Sequence, residues 1–141
     1  QTCALPILPE IIGQLIGLKY LDLGDNHIEE ISPGISNLKC LDTLILSHNA
    51  LMHVPESICK LENLREFYVE YNSVEKIEGC IGSLNKLNYL FLEHNQLQFL
   101  PDSIRELPNL EVLYVGDNPI LNNPMEDVLE DLEGKGVRVH R

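Results

Sequence analysis

The sequence predicts an α/β solenoid shaped like a horseshoe, with a parallel β-sheet on its concave side and irregular or short helical segments on its convex side. The first observation behind this prediction is a 23-residue period that never slips, marked by Leu18, Leu41, Leu64, Leu87 and Leu110. The second is an asparagine eight residues after each of those leucines. Self-similarity at periods of roughly 20–50 residues is typical of proteins built from stacked repeats.

Each period divides into a strand, a turn and a return segment. In Leu87–Asn109, Leu90 and Leu92 alternate with Phe91, which predicts a short strand whose leucines face the core. Asn95 then turns the chain, because its carboxamide can satisfy backbone groups that the bend leaves unpaired. The apolar residues of the return segment follow at spacings of three or four: Leu97, Leu100, Ile104 and Leu107. One coil cannot bury its apolar face alone, so the coils are expected to stack at about 4.8 Å per strand.

The turns and corners of successive coils are also predicted by the repeat. The turn residues are expected to stack into a structural ladder formed by Asn26, Asn49, Asn72, Asn95 and Asn118. Pro55 and Pro101 each follow an apolar residue and predict an extended corner without a backbone donor. Ile31-Ser32 and Ile77-Glu78 replace the usual Leu-Pro pair, which predicts looser corners in those two coils.

Residues 1–7 are treated separately from the repeats. They read QTCALPI and resemble the translated tail of a common sequencing adapter, so we expect a non-native leader there. Residues 8–141 are then predicted to form one solenoid domain. Its parts are a partial repeat at 8–17, full repeats at 18–40, 41–63, 64–86 and 87–109, a last strand and turn at 110–120, and a cap at 121–141. No polar cap precedes Leu18, so we interpret the chain as the C-terminal piece of a longer array whose first coil exposes Leu8, Ile12 and Leu15.

The period breaks after Ile120, and the pattern there predicts a helix and a strand that cover the last coil. Asn123 suits the N-cap, Pro124 suits the first helical position, and Gly134 can end the helix. An apolar stripe with helical spacing is formed by Met125, Val128, Leu129 and Leu132. Val137 and Val139 alternate with polar residues as a short strand does.

The repeat pattern, LxxLxLxxNxLxxLPxxIxxLxx, resembles the 23-residue leucine-rich repeat from Leu8 to about Ile120. Its second half is similar to that of the intracellular class that includes the Ras-suppressor and other Ras-group leucine-rich-repeat scaffolds. This resemblance implies a signalling scaffold, with a small Ras-like GTPase or a phosphatase as its partner.

Charge and composition narrow the classes of partner. The chain has 10 basic and 22 acidic residues, a formal charge of −12 and a pI near 4.7. Nucleic-acid binding needs clustered Lys and Arg, so a nucleic-acid partner is disfavoured. A partner with a basic face is favoured instead. No apolar run in the sequence approaches the roughly 18 residues of a membrane span.

The pattern of cysteines predicts the cellular compartment of the protein. Cys3, Cys40, Cys59 and Cys80 include no CxxC pair, and the sequence has no Asn-x-Ser/Thr glycosylation site. Both features favour a reducing, cytoplasmic location. Cys59 and Cys80 lie in return segments, where we expect them to pack as small buried thiols.

Neither catalysis nor a cofactor is predicted. The sequence has no P-loop, HExxH, GxSxG or paired CxxC motif. His48 and His94 occupy the same position of their repeats, but they are two coils apart. That separation is roughly 10 Å at strand spacing, which is too far for one metal ion. We therefore expect no metal site and no enzymatic activity.

The outward positions of the strands carry the candidate binding site. Ile45, Tyr68, Phe91 and Tyr114 share one position and are expected to form a contiguous aromatic ridge. Other members of the predicted concave site are Tyr20, His48, Glu66, Glu70, Tyr71, Tyr89, Glu93 and His94. Exposed apolar patches mark interaction sites, and aromatic anchors dominate interface energies. We expect a partner protein with an apolar knob surrounded by Lys or Arg, which Glu70 and Glu93 would select.

The predicted function is therefore a non-enzymatic protein-interaction scaffold that binds through the concave face. Two alternatives remain open at this stage. The repeats are also found as the recognition region of a larger enzyme, such as a kinase or a ubiquitin ligase. They occur as well in receptor ectodomains, against which the cysteine pattern and the missing glycosylation sites weigh.

Overall fold

One short strand per coil builds the sheet of this protein. The computed structural model describes residues 7–119 and 126–141, and within them it forms eight strands and one α-helix. The strands are β1 (Ile7–Leu8), β2 (Tyr20–Asp22), β3 (Glu30–Ile31), β4 (Thr43–Ile45), β5 (Glu66–Tyr68), β6 (Tyr89–Phe91), β7 (Val112–Tyr114) and β8 (Arg138–His140). The helix is α1 (Glu126–Gly134).

The main sheet has the order β2-β4-β5-β6-β7-β8, and every pair in it is parallel. Neighbouring strands pair in the register of the repeat, so that Tyr20 lies beside Thr43, Thr43 beside Glu66 and Glu66 beside Tyr89. The predicted parallel solenoid is confirmed. β1 and β3 form a separate two-stranded pair at the corner of the first coils.

The core is a column of leucines, isoleucines and valines between the sheet and the return segments. The inward strand residues Leu44, Phe67 and Leu90 are completely buried, as the alternation predicted. The return segments are short 3₁₀ helices at Glu10–Gln14, Pro33–Asn37, Glu56–Lys60, Gly79–Ser83 and Asp102–Glu106. A 3₁₀ helix rises faster per residue than an α-helix, so five residues cross the back of a coil.

The corners without proline are not looser than the others, contrary to the prediction. Ser32 and Glu78 have the same extended backbone (φ −67°, ψ 151° and φ −71°, ψ 149°) as Pro55 (φ −72°, ψ 153°). The preceding Ile31 and Ile77 are buried. The buried isoleucine therefore holds the corner, because this extended region is open to any L-residue once the chain is anchored.

The asparagine side chains link each coil to the preceding one. The Asn72 carboxamide accepts a hydrogen bond from the Leu51 backbone N–H at 2.9 Å and donates to the carbonyls of Leu46 and Val69, both at 3.0 Å. Asn49, Asn95 and Asn118 repeat these contacts one coil earlier or later. Asn26 differs, because its side chain is exposed and, among the described residues, bonds only to carbonyls of its own turn.

The first coil is better covered than the sequence predicted. Leu8 is buried rather than exposed, because β1 pairs with β3 and places Leu8 beside Ile31. Ile12 is half-buried, whereas Leu15 is exposed. Ile7, the last residue of the expected leader, pairs with Glu30. Residues 1–6 of that leader lie outside the described residues.

The C-terminal helix and strand cover the last coil, as expected. Val128, Leu129 and Leu132 of α1 are buried, and β8 continues the sheet with Val139 beside Leu113. Arg105 of the preceding return segment forms ion pairs with the helix, at 3.7 Å to Asp127 and 3.6 Å to Asp131. The predicted cap residues Asn123, Pro124 and Met125 lie outside the described residues.

Cys59 and Cys80 are not the buried packing thiols that the sequence predicted. Both are half-buried, and they form a disulfide between neighbouring return segments with their Cα atoms 5.8 Å apart. The cause is a close approach between the backbones of neighbouring return segments, which recurs along the convex side. A Cβ on Gly82 would lie 2.5 Å from the Ser103 carbonyl oxygen, and one on Gly13 would lie 2.5 Å from the Gly34 carbonyl oxygen. The contact thus requires glycines or small residues, and at one step the two cysteines are close enough to bond.

Replacement of Asn72 by alanine should destabilise the domain by about 1–3 kcal/mol, because it leaves the buried Leu51 N–H without a partner. The carbonyls of Leu46 and Val69 lose one of their two donors and keep those of Asn49 and Asn95. Asn26→Ala is the matched control and should cost less than about 1 kcal/mol, since its side chain is exposed and its bonds to described residues stay within one turn. Urea unfolding followed by circular dichroism measures both values. Equal losses would mean that the bonds between coils do not hold the stack together.

Gly82→Ala should destabilise the domain by about 1–3 kcal/mol, because the new methyl group overlaps the Ser103 backbone. Gly79→Ala in the same 3₁₀ helix should change the free energy of unfolding by less than about 0.5 kcal/mol, since its nearest neighbour is the Ser103 hydroxyl at 4.0 Å. The same urea titrations compare the two. A neutral Gly82→Ala would refute the proposed packing requirement.

Candidate functional site

The register of the sheet brings the predicted ridge residues side by side. Ile45 lies beside Tyr68, Tyr68 beside Phe91, and Phe91 beside Tyr114. The rings stack almost parallel, with centroids 4.3 Å apart for Tyr68 and Phe91 and 5.0 Å apart for Phe91 and Tyr114. These side chains face away from the core and are half-buried only by one another and their flanks. We call this row, together with His140, the aromatic ridge.

His140 was missed by the sequence analysis. It lies in β8 beside Tyr114, and the two rings stack with centroids 4.1 Å apart. The 23-residue period does not reach this strand, because the helix of the cap intervenes and the step from Tyr114 to His140 is longer than one repeat. The alternation of Val137 and Val139 was the signal that could have placed His140 on the outward face.

A second row of rings lies at the end of the strands. Tyr71 stacks on His48 at 4.3 Å and on His94 at 4.1 Å. All three residues have a left-handed backbone, with φ of 55° for His48 and Tyr71 and 52° for His94. That conformation is uncommon for a residue as large as tyrosine and costs on the order of 1–3 kcal/mol. We call these three residues the second row.

Two carboxylates lie between the rows. Glu70 and Glu93 lie just beyond the ends of their strands, two residues after Tyr68 and Phe91, and directly precede the second-row residues in the chain. Ser47 donates a hydrogen bond to Glu70 Oε1 at 2.8 Å. The Oε2 atoms of Glu70 and Glu93 are buried and have no hydrogen-bond partner among the described residues. We call these two residues the acidic floor.

The ionised form of Glu93 is electrostatically unfavourable in the free protein. Burial raises the pKa of the Glu93 carboxyl above its usual range, and the negative charge of Glu70 adds to the rise. A backbone hydrogen bond and the nearby His94 and His140 act in the opposite direction. A carboxylate that is partly desolvated and lies beside a like charge favours a cationic neighbour.

Tyrosine hydroxyl groups on this face donate hydrogen bonds to neighbouring carboxylates. The Tyr68 hydroxyl donates to Glu66 Oε2 at 2.9 Å. Burial, followed by that hydrogen bond and the charges of Glu66 and Glu70, raises the pKa of Tyr68 to about 12. Tyr89 lies in the next outward row, where its hydroxyl donates to Glu111 at 3.3 Å. Tyr20 does not join these residues, because it lies on the edge strand β2 beside Thr43 and is 57% exposed.

The two histidines of the second row do not form a metal site. The Tyr71 ring lies between them, and His94 Nε2 is paired with Asp117 at 3.3 Å. Across residues 7–119 and 126–141, no group of three His, Cys, Asp or Glu side chains is placed to hold a metal ion. In the same part of the chain, no helix has the length and apolar character needed to cross a membrane.

A parallel sheet with one strand per coil, a leucine core and an asparagine at every turn defines a leucine-rich-repeat solenoid, a fold that generally mediates protein–protein interaction. Family comparison agrees: residues 7–78 match a leucine-rich repeat region, and residues 62–120 match a leucine-rich repeat. This chain belongs to the leucine-rich-repeat family. No enzymatic family is indicated by these matches.

Known structures and sequences resemble the chain over different lengths. A leucine-rich-repeat protein of Leptospira interrogans is 34% identical with a TM-score of 0.88, over 95% of this chain and 34% of that one. A plant ice-binding protein is 26% identical with a TM-score of 0.61, over 70% of this chain and 34% of that one. A putative disease resistance RPP13-like protein of Arabidopsis thaliana is 45% identical over 42 residues. The chain spans about a third of the length of both structures, and its match covers 5% of the Arabidopsis protein.

Glu93→Gln should stabilise the protein near neutral pH. Because the pKa of Glu93 is raised on folding, the ionised carboxylate costs stability above that pKa, and the cost disappears as falling pH protonates it. The gain in melting temperature should therefore be largest at pH 7 and vanish by about pH 4, below the usual Glu pKa.

Glu75→Gln is the control for the melting experiment, since it removes the same charge from an exposed position. Differential scanning fluorimetry over this pH range measures both variants. If Glu75→Gln stabilised the protein as much as Glu93→Gln, the effect would come from net charge and not from the acidic floor.

Proposed function

We propose that this chain is a non-enzymatic module that binds a partner protein through its concave face, in intracellular signalling. The observation that carries the proposal is the stack of Tyr68, Phe91, Tyr114 and His140 on the outward face of the sheet. The core is complete without these rings, because the inward residues of the same strands are buried aliphatic or aromatic side chains. Exposed apolar patches of this kind mark interaction sites on soluble proteins.

The conformational free-energy cost of the second row also supports this proposal. Tyr71 keeps a left-handed backbone that favours glycine or asparagine, yet it carries one of the largest side chains. Strain of this kind persists where the surrounding structure holds it, and it clusters at binding sites. Glu93 adds a second local cost through its buried, unpartnered oxygen. The left-handed backbone itself belongs to the repeat, since Asp25 and Asp117 share it with φ of 56° and 52°. A tyrosine side chain at this position and a buried, unpartnered Glu93 oxygen are not required by the turn, and such local costs are expected at functional positions.

The partner is proposed to be a protein with an apolar surface and basic groups. The formal charge of −12 and the carboxylates at the concave face favour such a partner through charge complementarity. The resemblance of the repeats to the Ras-group scaffolds suggests a small Ras-like GTPase or a phosphatase. Binding that weakens when the GTPase is loaded with GDP would support the first of these.

A second candidate function is the recognition region of a larger protein. The 45% identity to the putative disease resistance protein of Arabidopsis, of which this match covers 5%, favours it. A kinase, a ubiquitin ligase or a receptor ectodomain would also use the module in this way. The Cys59–Cys80 disulfide favours the ectodomain, since disulfides persist in oxidising compartments. The cytoplasmic location was expected from the missing CxxC pairs and glycosylation sites, and it stays a prediction.

The proposal predicts that Tyr68→Ala combined with Phe91→Ala abolishes binding of a concave-face partner. Loss of two central aromatic anchors typically costs about 2–4 kcal/mol each in binding free energy. Affinity capture from a cell lysate, followed by titration of each purified captured protein, measures the effect. Circular dichroism and urea unfolding show whether the variant remains folded.

The matched control is Met52→Ala combined with Phe99→Ala. Both side chains are exposed apolar groups outside the strands of the concave sheet. A partner that is lost with the ridge variant and kept with this control supports the proposal. A partner list that the ridge variant leaves unchanged, or that only the Met52/Phe99 variant alters, contradicts it.

A further inference from the structure

Resting on the proposed function, we infer that the partner inserts a Lys or Arg side chain between the aromatic ridge and the second row, where it pairs with Glu70 and Glu93. This arrangement differs from the one expected from the sequence, in which basic groups surrounded an apolar knob. The positions of the carboxylates require the change. They lie between the two rows of rings, so the cation belongs at the centre of the contact and the apolar groups belong at its sides.

The register places the acidic floor between the rows, because Glu70 and Glu93 follow the paired Tyr68 and Phe91 by two residues and directly precede the second row. The negative charge of Glu70 raises the pKa of Tyr68 in the ridge. Burial raises the pKa of Glu93, whereas His94 of the second row and His140 of the ridge lower it. Ser47 precedes Glu70 in this row of equivalent positions, and Gly116 follows Glu93. Ser47 has a short side chain, whereas a Cβ on Gly116 would lie 3.0 Å from the backbone carbonyl carbon of Arg141, so the Arg141 backbone covers the groove at that end.

No basic side chain of this chain neutralises the floor. Among the described residues, no lysine or arginine forms a hydrogen bond or an ion pair with Glu70 or Glu93. Arg141, which follows His140 of the ridge, instead donates two hydrogen bonds to the Glu133 carboxylate of α1, at 2.6 and 3.1 Å. The floor therefore keeps two unneutralised carboxylates at the centre of an apolar surface, which is complementary to one incoming cation.

The stacking of the rings decides how the cation is held. Tyr68, Phe91 and Tyr114 cover one another's faces, so their edges point toward a partner. Cation–π contacts need an open ring face, and edges carry the positive part of the ring quadrupole. The charged group is therefore directed to the carboxylates, and the ring edges pack against the methylene stem of the lysine or arginine.

The test uses a phage-displayed library of random peptides, selected against the wild-type chain at neutral pH. The selection is repeated on Glu70→Gln/Glu93→Gln, on Tyr68→Ala/Phe91→Ala, and on Glu75→Gln as the charge control. Peptides that need the ridge should share a Lys or Arg flanked by apolar residues. Their affinity should fall at least about tenfold on the Glu70/Glu93 variant and stay unchanged on Glu75→Gln.

A double-mutant cycle then assigns the contact. Replacing the shared Lys or Arg of the peptide by methionine should weaken binding to the wild type at least about tenfold, and should have little further effect on the Glu70/Glu93 variant. Isothermal titration calorimetry measures the four affinities. Independent effects of the two changes would overturn the inference, because the cation would then pair elsewhere.

The remaining outcomes separate this inference from the proposed function. Ridge-dependent peptides without a shared cation, or with affinity unchanged by Glu70→Gln/Glu93→Gln, would overturn the inference and leave concave-face binding intact. Peptides that bind equally to the ridge variant would count against both. Failure to select any peptide would also count against the inference, since a walled acidic groove should retain basic peptides.

Discussion

The structure depends on the hydrogen bonds that the turn asparagines from Asn49 to Asn118 make to the preceding coil. Asn72, Asn95 and Asn118 are nearly buried, and each bridges two coils by accepting from a backbone N–H and donating to carbonyls. Without these bonds, the backbone of every turn would be buried with unpaired groups, and such groups cost on the order of 1–3 kcal/mol each. The same bonds hold each coil in register with its neighbour. A slip of one residue would break them and turn every leucine of a strand outward.

A fixed register has a direct consequence for the surface. Residues at the same position of successive repeats become neighbours about 4.8 Å apart, which is close to the separation of stacked rings. Tyr68 and Phe91 stack at 4.3 Å for this reason, and Tyr71 stacks on His94 at 4.1 Å. The concave surface is thus a set of parallel rows, and the chemistry of each row is decided by one position of the repeat.

The core and the concave surface follow different physical requirements. Leu44 and Leu90 are completely buried, which lowers the free energy of the folded state. Tyr71 in a left-handed backbone and Glu93 with a buried, unpaired oxygen both raise it. These costs coincide on one face, between the two rows of rings. That coincidence, more than the presence of aromatic residues alone, is the reason for proposing this face as the binding surface.

The sequence by itself determined the solenoid, the parallel sheet, the inward leucines and the row that contains Tyr68, because a strict period places equivalent residues side by side whatever the details of each coil. It did not predict the buried Leu8, the Cys59–Cys80 bond or the extended corner at Glu78, since these depend on distances between return segments and on pairing of distant residues. His140 belongs to the ridge because the cap adds strand β8 beside β7, and that strand lies outside the 23-residue period. The tertiary structure also decided the surroundings of Glu93, because Glu70, His94 and His140 come from two different coils and the cap and are not encoded in any single repeat.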